Sequence, residues 1–174
     1  LNGRTRFILA DEVGLGKTIE AGLIVSTLRK YFPDWKTAFF VPESITIQWA
    51  FEMYGKFGKS IFRLSDDDEP EEGEPDPGVI LPHGYAAEVA HKQTYEILVI
   101  DEAHQVLRDP AMYEAFYRLS KRAHAVLLLT ATPTSDDGKN ICKLLKLVDP
   151  EFYEMYGNEG HVLELFRQQD RVEK

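Results

Sequence analysis

Four short apolar runs, separated by stretches of helical periodicity, limit what this chain can fold into. Residues 6–10, 37–41, 96–100 and 125–130 are nearly continuous in Ile, Leu, Val, Phe and Ala, and each is too short for a buried helix. The stretches between them carry apolar residues at helical spacing. Ile19, Leu23, Ile24 and Leu28 form one such stripe, and Ile45, Trp49, Met53 and Phe57 another, with Gly55 and Gly58 closing it. Met112, Phe116 and Leu119 form a third, in a helix opened by Pro110 and running to Arg122. Further helices are expected over 85–92 and 138–147, with a terminal amphipathic helix over 158–174. Two more strands are expected at 60–64 and 79–81. Buried strands alternating with helices predict an α/β fold, with a mostly parallel sheet covered on both faces and right-handed crossovers. In such a sheet ligands bind at the carboxyl ends of the strands.

Those ends carry chemistry. The first run, read as a short buried strand, leads into Asp11-Glu12-Val13-Gly14-Leu15-Gly16-Lys17-Thr18 and then a helix. Gly14 and Gly16 allow the tight turn that points backbone N–H groups at an anion, and the positive end of the helix adds to that field. Lys17 has the reach for the β- and γ-phosphates of a nucleotide, and the Thr18 hydroxyl is a Mg²⁺ ligand in this arrangement. Position 11 departs from the usual P-loop, which has Gly or Ala where this chain has Asp.

The third run delivers Asp101-Glu102-Ala103-His104. Two adjacent carboxylates beside a phosphate cradle suit Mg²⁺–ATP hydrolysis: Asp101 to hold the metal, Glu102 to orient and deprotonate water. The alternative, a pair of strand-end carboxylates without function, weakens once the phosphate cradle is counted with it. A zinc site joining His104 to His83 or His91 fits no metal-ligand spacing. The fourth run ends in Leu129-Thr130-Ala131-Thr132-Pro133. Hydroxyls there either bridge the phosphate edge by hydrogen bonds or simply cap the next segment.

Composition bears on partners. A length of 174 residues fits one domain with a substantial core. The lone Cys142 gives neither a disulfide nor a cysteine metal site, which favours a reducing, intracellular setting. No apolar run is long enough to span a bilayer, so no membrane is expected as a partner. The net charge of −9 would argue against nucleic acid, but eight of the acidic groups lie in residues 66–77, with three prolines and no basic residue. Without that segment 21 acidic groups face 20 basic ones. The segment itself reads as an acidic, mobile, solvated loop. The chain opens at Leu1 without an initiator Met and reads as a piece of something longer.

In this order and spacing, DEVGLGKT, VPESITIQW, DEAH and LLLTATPT resemble motifs I, Ia, II and III of the superfamily II helicase-like ATPases. More narrowly they resemble the Swi/Snf-type DNA translocases, in which Asp opens motif I, and TATP differs from the SAT of DEAD-box RNA helicases. Val13 and Ile19-Glu20-Ala21-Gly22 are similar to the prokaryotic RapA-like branch. The resemblance covers residues 5 to about 155.

It implies two RecA-like lobes with Mg²⁺–ATP between them and duplex DNA across both, of which residues 1–174 would be the amino-terminal lobe alone. Gly14, Leu15, Gly16, Lys17 and Thr18 would bind phosphates, Thr18 and Asp101 the metal, and Lys17 and Glu102 would serve hydrolysis. Thr130, Ala131 and Thr132 would couple nucleotide state to DNA, and Ser44, Gln48 and Trp49 lie in the segment that approaches the DNA backbone. From the residues alone, Trp49 reads equally as core on the Ile45–Met53 stripe, and Ser44 as a helix N-cap. No adenine-reading motif precedes Arg6, and motifs IV to VI, with the arginine fingers, do not follow. Implied partners are the second lobe, duplex DNA, and RNA polymerase or another remodelled complex; the implied setting is the prokaryotic cytoplasm, at the nucleoid. Two other classes stay open: a nucleotide-binding interaction module without turnover, and a lobe of an RNA-directed helicase. Intact Lys17 and Glu102 argue against the module.

Overall fold

Three of the four apolar runs become the centre of a five-stranded parallel sheet ordered β1-β5-β4-β2-β3, and the first run becomes its edge. The computed structural model describes residues 5–10, 16–58, 78–131, 139–156 and 160. Its strands are β1 (Thr5–Ala10), β2 (Thr37–Val41), β3 (Val79–Pro82), β4 (Ile97–Ile100) and β5 (Ala125–Thr130). Its helices are α1 (Lys17–Tyr31), α2 (Thr46–Phe57), α3 (Ala86–Lys92), α4 (Ala103–Val106), α5 (Pro110–Arg122), α6 (Lys139–Val148) and α7 (Pro150–Tyr156). The strand expected at 60–64, the acidic loop at 66–77 and, apart from Gly160, the terminal helix at 158–174 lie outside the described residues.

Every residue of β2, β4 and β5 is buried. Because side chains alternate along a strand, these three supply both faces of the sheet. Phe40, Leu98, Ile100, Val126 and Leu128 face a core with Ala115, Phe116 and Leu119 of α5 and Leu144 and Leu147 of α6. Phe39, Val41, Ile97, Val99, Leu127 and Leu129 face the other, with Ala21 and Val25 of α1 and Trp49 and Met53 of α2. The register aligns Phe40 with Ile100 and Ile100 with Leu128, so neighbouring strands end at similar heights.

Two expectations are corrected. β1 is not buried: it pairs only with β5 among the described strands, and Phe7 is 51% exposed. An apolar run shows that a strand exists, but not whether it lies at the sheet's edge. On α1, Ile19 and Leu23 point outward, while the buried positions are Lys17, Ala21, Gly22, Val25 and Arg29. The helix uses small residues because α2 comes close. A Cβ at Gly22 would lie 2.2 Å from the Phe57 ring. α2 itself runs through Gly55 and closes at Gly58, whose positive φ of 64° suits glycine.

Candidate nucleotide site

Hydrogen bonding carries β4 one residue past its last apolar side chain. The Asp101 amide donates to the Phe40 carbonyl at 2.8 Å, so the first carboxylate stands on the sheet itself. Asp101 is only 6% exposed. Its Oδ2 accepts from Trp49 Nε1 at 2.9 Å, and its carbonyl accepts from His83 Nε2 at 2.9 Å. Burial holds the Asp101 carboxyl above the usual carboxylate range. The Trp49 bond, the Glu102 amide and the charge of Lys17 pull the other way.

Glu102 then leaves the sheet in the left-handed region, at φ 46° and ψ 44°. It is the one non-glycine residue with positive φ among the described residues. Such a conformation costs about 1–3 kcal/mol and persists where the surroundings enforce it. Its effect is to end the strand and start α4 at once. Glu102 Oε2 lies 3.2 Å from His104 Nδ1.

At the end of the adjacent strand, Thr130 is fully buried. Its hydroxyl donates to the Ala131 carbonyl at 2.9 Å, so its lone pairs face His104 Nδ1 at 3.2 Å. His104 Nδ1 thus stands between two acceptors, Glu102 Oε2 and the Thr130 hydroxyl oxygen. Because β5 pairs with β4, Thr130 stands beside the paired carboxylates, with His104 between it and Glu102. Thr132 lies outside the described residues.

α1 begins at Gly16, whose φ of 91° is left-handed, and the Gly16 carbonyl accepts from the amides of Ile19 and Glu20 at 2.9 and 3.0 Å. The first amides of a helix have no intrahelical acceptor, which leaves them for an anion. Lys17 is 8% exposed, and its charge is felt at Asp101. Thr18 is half-buried on the same first turn. Gly14 and Leu15 lie outside the described residues. The donor chemistry fits Mg²⁺–nucleotide. Among the described residues no three His, Cys, Asp or Glu side chains converge on one point. Mg²⁺ in nucleotide sites takes one or two protein oxygens, the rest coming from phosphate and water.

The segment read as nucleic-acid-facing divides. Ser44 and Gln48 are exposed, Gln48 donating to Glu52 Oε1 at 2.9 Å. Trp49 points the other way and is 3% exposed. The N-cap reading of Ser44 is corrected: Ser44 sits inside a 3₁₀ turn, Glu43–Ile45, and neither that turn nor α2 has a side-chain cap.

Two contributors were not legible as site residues. His83, 6% exposed, follows β3 and packs edge-on against Phe116. Its ring nitrogen donates to the Asp101 carbonyl, and burial depresses its pKa below 6.5 despite the carbonyls of Asp101 and Phe40, which favour the charged form. Trp49 reaches Asp101 across 52 residues of sequence. Helical spacing signals that such a tryptophan is buried, but says nothing about where its N–H points.

Residues 1–135 match the family described as type III restriction enzyme, res subunit (ResIII). Curated relatives include the RNA polymerase-associated protein RapA of Pectobacterium carotovorum, 34% identical over 169 residues that cover 87% of this chain and 17% of the relative. RapA of Stutzerimonas stutzeri is 35% identical over 177 residues, covering 93% of this chain and 18% of the relative. The chain thus spans under a fifth of the length of these relatives. Among solved structures, the Sulfolobus solfataricus SWI2/SNF2 ATPase core in complex with dsDNA superposes with a TM-score of 0.71 at 18% identity, covering 91% of this chain and 34% of that one. The same core domain alone gives a TM-score of 0.68 at 19% identity, over 91% of this chain and 32% of that one. At those identities the likeness establishes the fold. The chain belongs to the ResIII family of helicase-like proteins.

Proposed function

We propose that this chain is the amino-terminal, ATP-binding RecA-like lobe of a longer DNA-dependent ATPase that moves along duplex DNA or remodels protein–DNA complexes. The observation that carries the reading is the gathering at one sheet edge of Lys17, Asp101, Glu102 and Thr130 from three different elements, with Glu102 held in a strained conformation. Perturbed, strained and buried polar groups concentrate at functional sites.

In this reading the P-loop, Gly14 to Thr18, takes the phosphates. Mg²⁺, held by Thr18 and Asp101, would neutralise charge on the β- and γ-phosphates. Lys17 adds its fixed positive charge from a largely dry position, where electrostatic stabilisation is strongest. Glu102 accepts a proton from the attacking water as its oxygen bonds to the γ-phosphorus and the bond to the β–γ bridging oxygen breaks. ADP and phosphate leave. His104 fixes the direction of Glu102 and ties it to Thr130, as motif II of a DEAH box joined to motif III.

RapA relatives and a DNA-bound structural neighbour support duplex DNA as the track, and RNA polymerase or another protein–DNA assembly as the target, in the prokaryotic cytoplasm. Among the described residues no helix is long and apolar enough to cross a membrane. A second lobe would supply the arginine fingers, worth about 10³ to 10⁵ in rate, so the 174-residue chain alone should hydrolyse ATP barely at all.

The test is Glu102→Gln in the longer protein. ATP affinity should persist while turnover falls by about 10²–10⁴-fold, the usual contribution of a general base. Turnover above about a tenth of wild type would show Glu102 to be structural.

A further inference from the structure

Trp49 lies in the core and yet spends its one polar atom on the site. Its ring is held beside Phe39, with centroids 6.0 Å apart, and among the buried residues of the α1–α2 face. A buried indole needs an acceptor, and a backbone carbonyl usually serves. Here the acceptor is Oδ2 of Asp101, at 2.9 Å. A hydrogen bond to a charged acceptor is shorter and stronger than a neutral one, and it fixes a direction. The Asp101 backbone is already pinned on both sides, by its amide to Phe40 and by its carbonyl from His83. The remaining freedom is rotation of the carboxylate, which the indole restrains from the core side while the Glu102 amide meets it from the chain's own turn.

We propose that Trp49 is a positioning residue that presets the Asp101 carboxylate for Mg²⁺–nucleotide. This rests on the proposed function, in which Asp101 faces the metal. It assigns α2 a second task. The helix that turns Ile47, Gln48 and Phe51 outward is tied on its inner side to the metal carboxylate, so displacement of α2 reorients Asp101.

The test uses the 174-residue chain and ADP as the probe, titrated by calorimetry with Mg²⁺ and again in EDTA. Trp49→Phe keeps a smaller aromatic ring in the core and removes the N–H. Mg²⁺–ADP affinity should fall about tenfold, the size expected for a hydrogen bond to a charged group, with ADP affinity in EDTA unchanged. An equal loss in both conditions would mean that Trp49 only supports the fold, and no loss would mean that the bond positions nothing. If Trp49→Phe does not fold, the wild type decides through its two indole protons, those of Trp35 and Trp49. The Trp49 signal should move on adding Mg²⁺–ADP and stay in place with ADP in EDTA. The same response to both would overturn the proposal. Failure of the wild type to bind ADP at all would instead overturn the proposed function, and this inference with it.

Discussion

Two ends of the sheet hold charged groups away from water, and they do it in opposite ways. Arg6, on β1, sends Nη1 to the Ser120 hydroxyl and the Val148 carbonyl, at 3.2 and 2.7 Å, and Nη2 to the carbonyls of Ser120 and Ala123, at 3.1 and 2.7 Å. Those carbonyls lie at the carboxyl ends of α5 and α6, where helix dipoles favour a cation. Every partner stabilises the charge. Asp101, by contrast, is charged against the cost of its burial, and the groups that help it do so incompletely, because its carboxyl still sits above the usual range. A charge surrounded by complementary partners holds a fold together. One left under tension is kept for a ligand that completes it.

The contrast can be broken by mutation, and the largest effect is expected at Arg6. Arg6→Ala should cost about 3 kcal/mol in urea unfolding, since it removes the donors that satisfy carbonyls at two helix ends. Nucleotide affinity per folded molecule should stay the same. A loss of affinity without a loss of stability would reverse the assignment.

Asp101→Asn should move the other way. Removing the charge relieves desolvation while Trp49 keeps an oxygen to donate to, so the nucleotide-free chain should gain about 1 kcal/mol as its Mg²⁺-dependent binding weakens. The folded pKa is raised, so the folded state holds the proton more tightly than the unfolded one. Wild type is therefore favoured by low pH. That advantage fades as pH rises from about 3.8 through the folded value, and the gain from Asn should appear only above that window. Thermal melts of the two proteins across that range check the sign.

The smallest effect is expected at Thr130. In the longer protein Thr130→Ala removes the hydroxyl that meets His104 and the Ala131 carbonyl, each bond worth about 0.5–1.5 kcal/mol. Basal hydrolysis should stay within a few-fold of wild type, and stimulation by duplex DNA should fall further. A proportional fall in both rates would remove the coupling role.

Much of this arrangement was legible in the sequence, for a physical reason. β2, β4 and β5 are buried on both faces, so their composition alone marks them, and the residues following β4 and β5 must then stand at the ligand-binding edge. What escaped was decided by tertiary neighbours. Phe7 and Leu23 look like core and are exposed, because β1 lies at the edge and α1 turns its small residues inward. α4 and α7 are too short to show a period, and α4 exists because Glu102 breaks from the strand. Trp49 and His83 join the site through single hydrogen bonds from distant segments.

In the proposed function the start of α1 and the end of β4 form one Mg²⁺–nucleotide phosphate site. Lys17 tests it most directly, being buried at that junction with its charge felt at Asp101. Calorimetry of the 174-residue chain with Mg²⁺–ATP should show weak binding that Lys17→Ala abolishes while the fold, followed by circular dichroism, is retained. Equal affinity for both proteins would contradict the account.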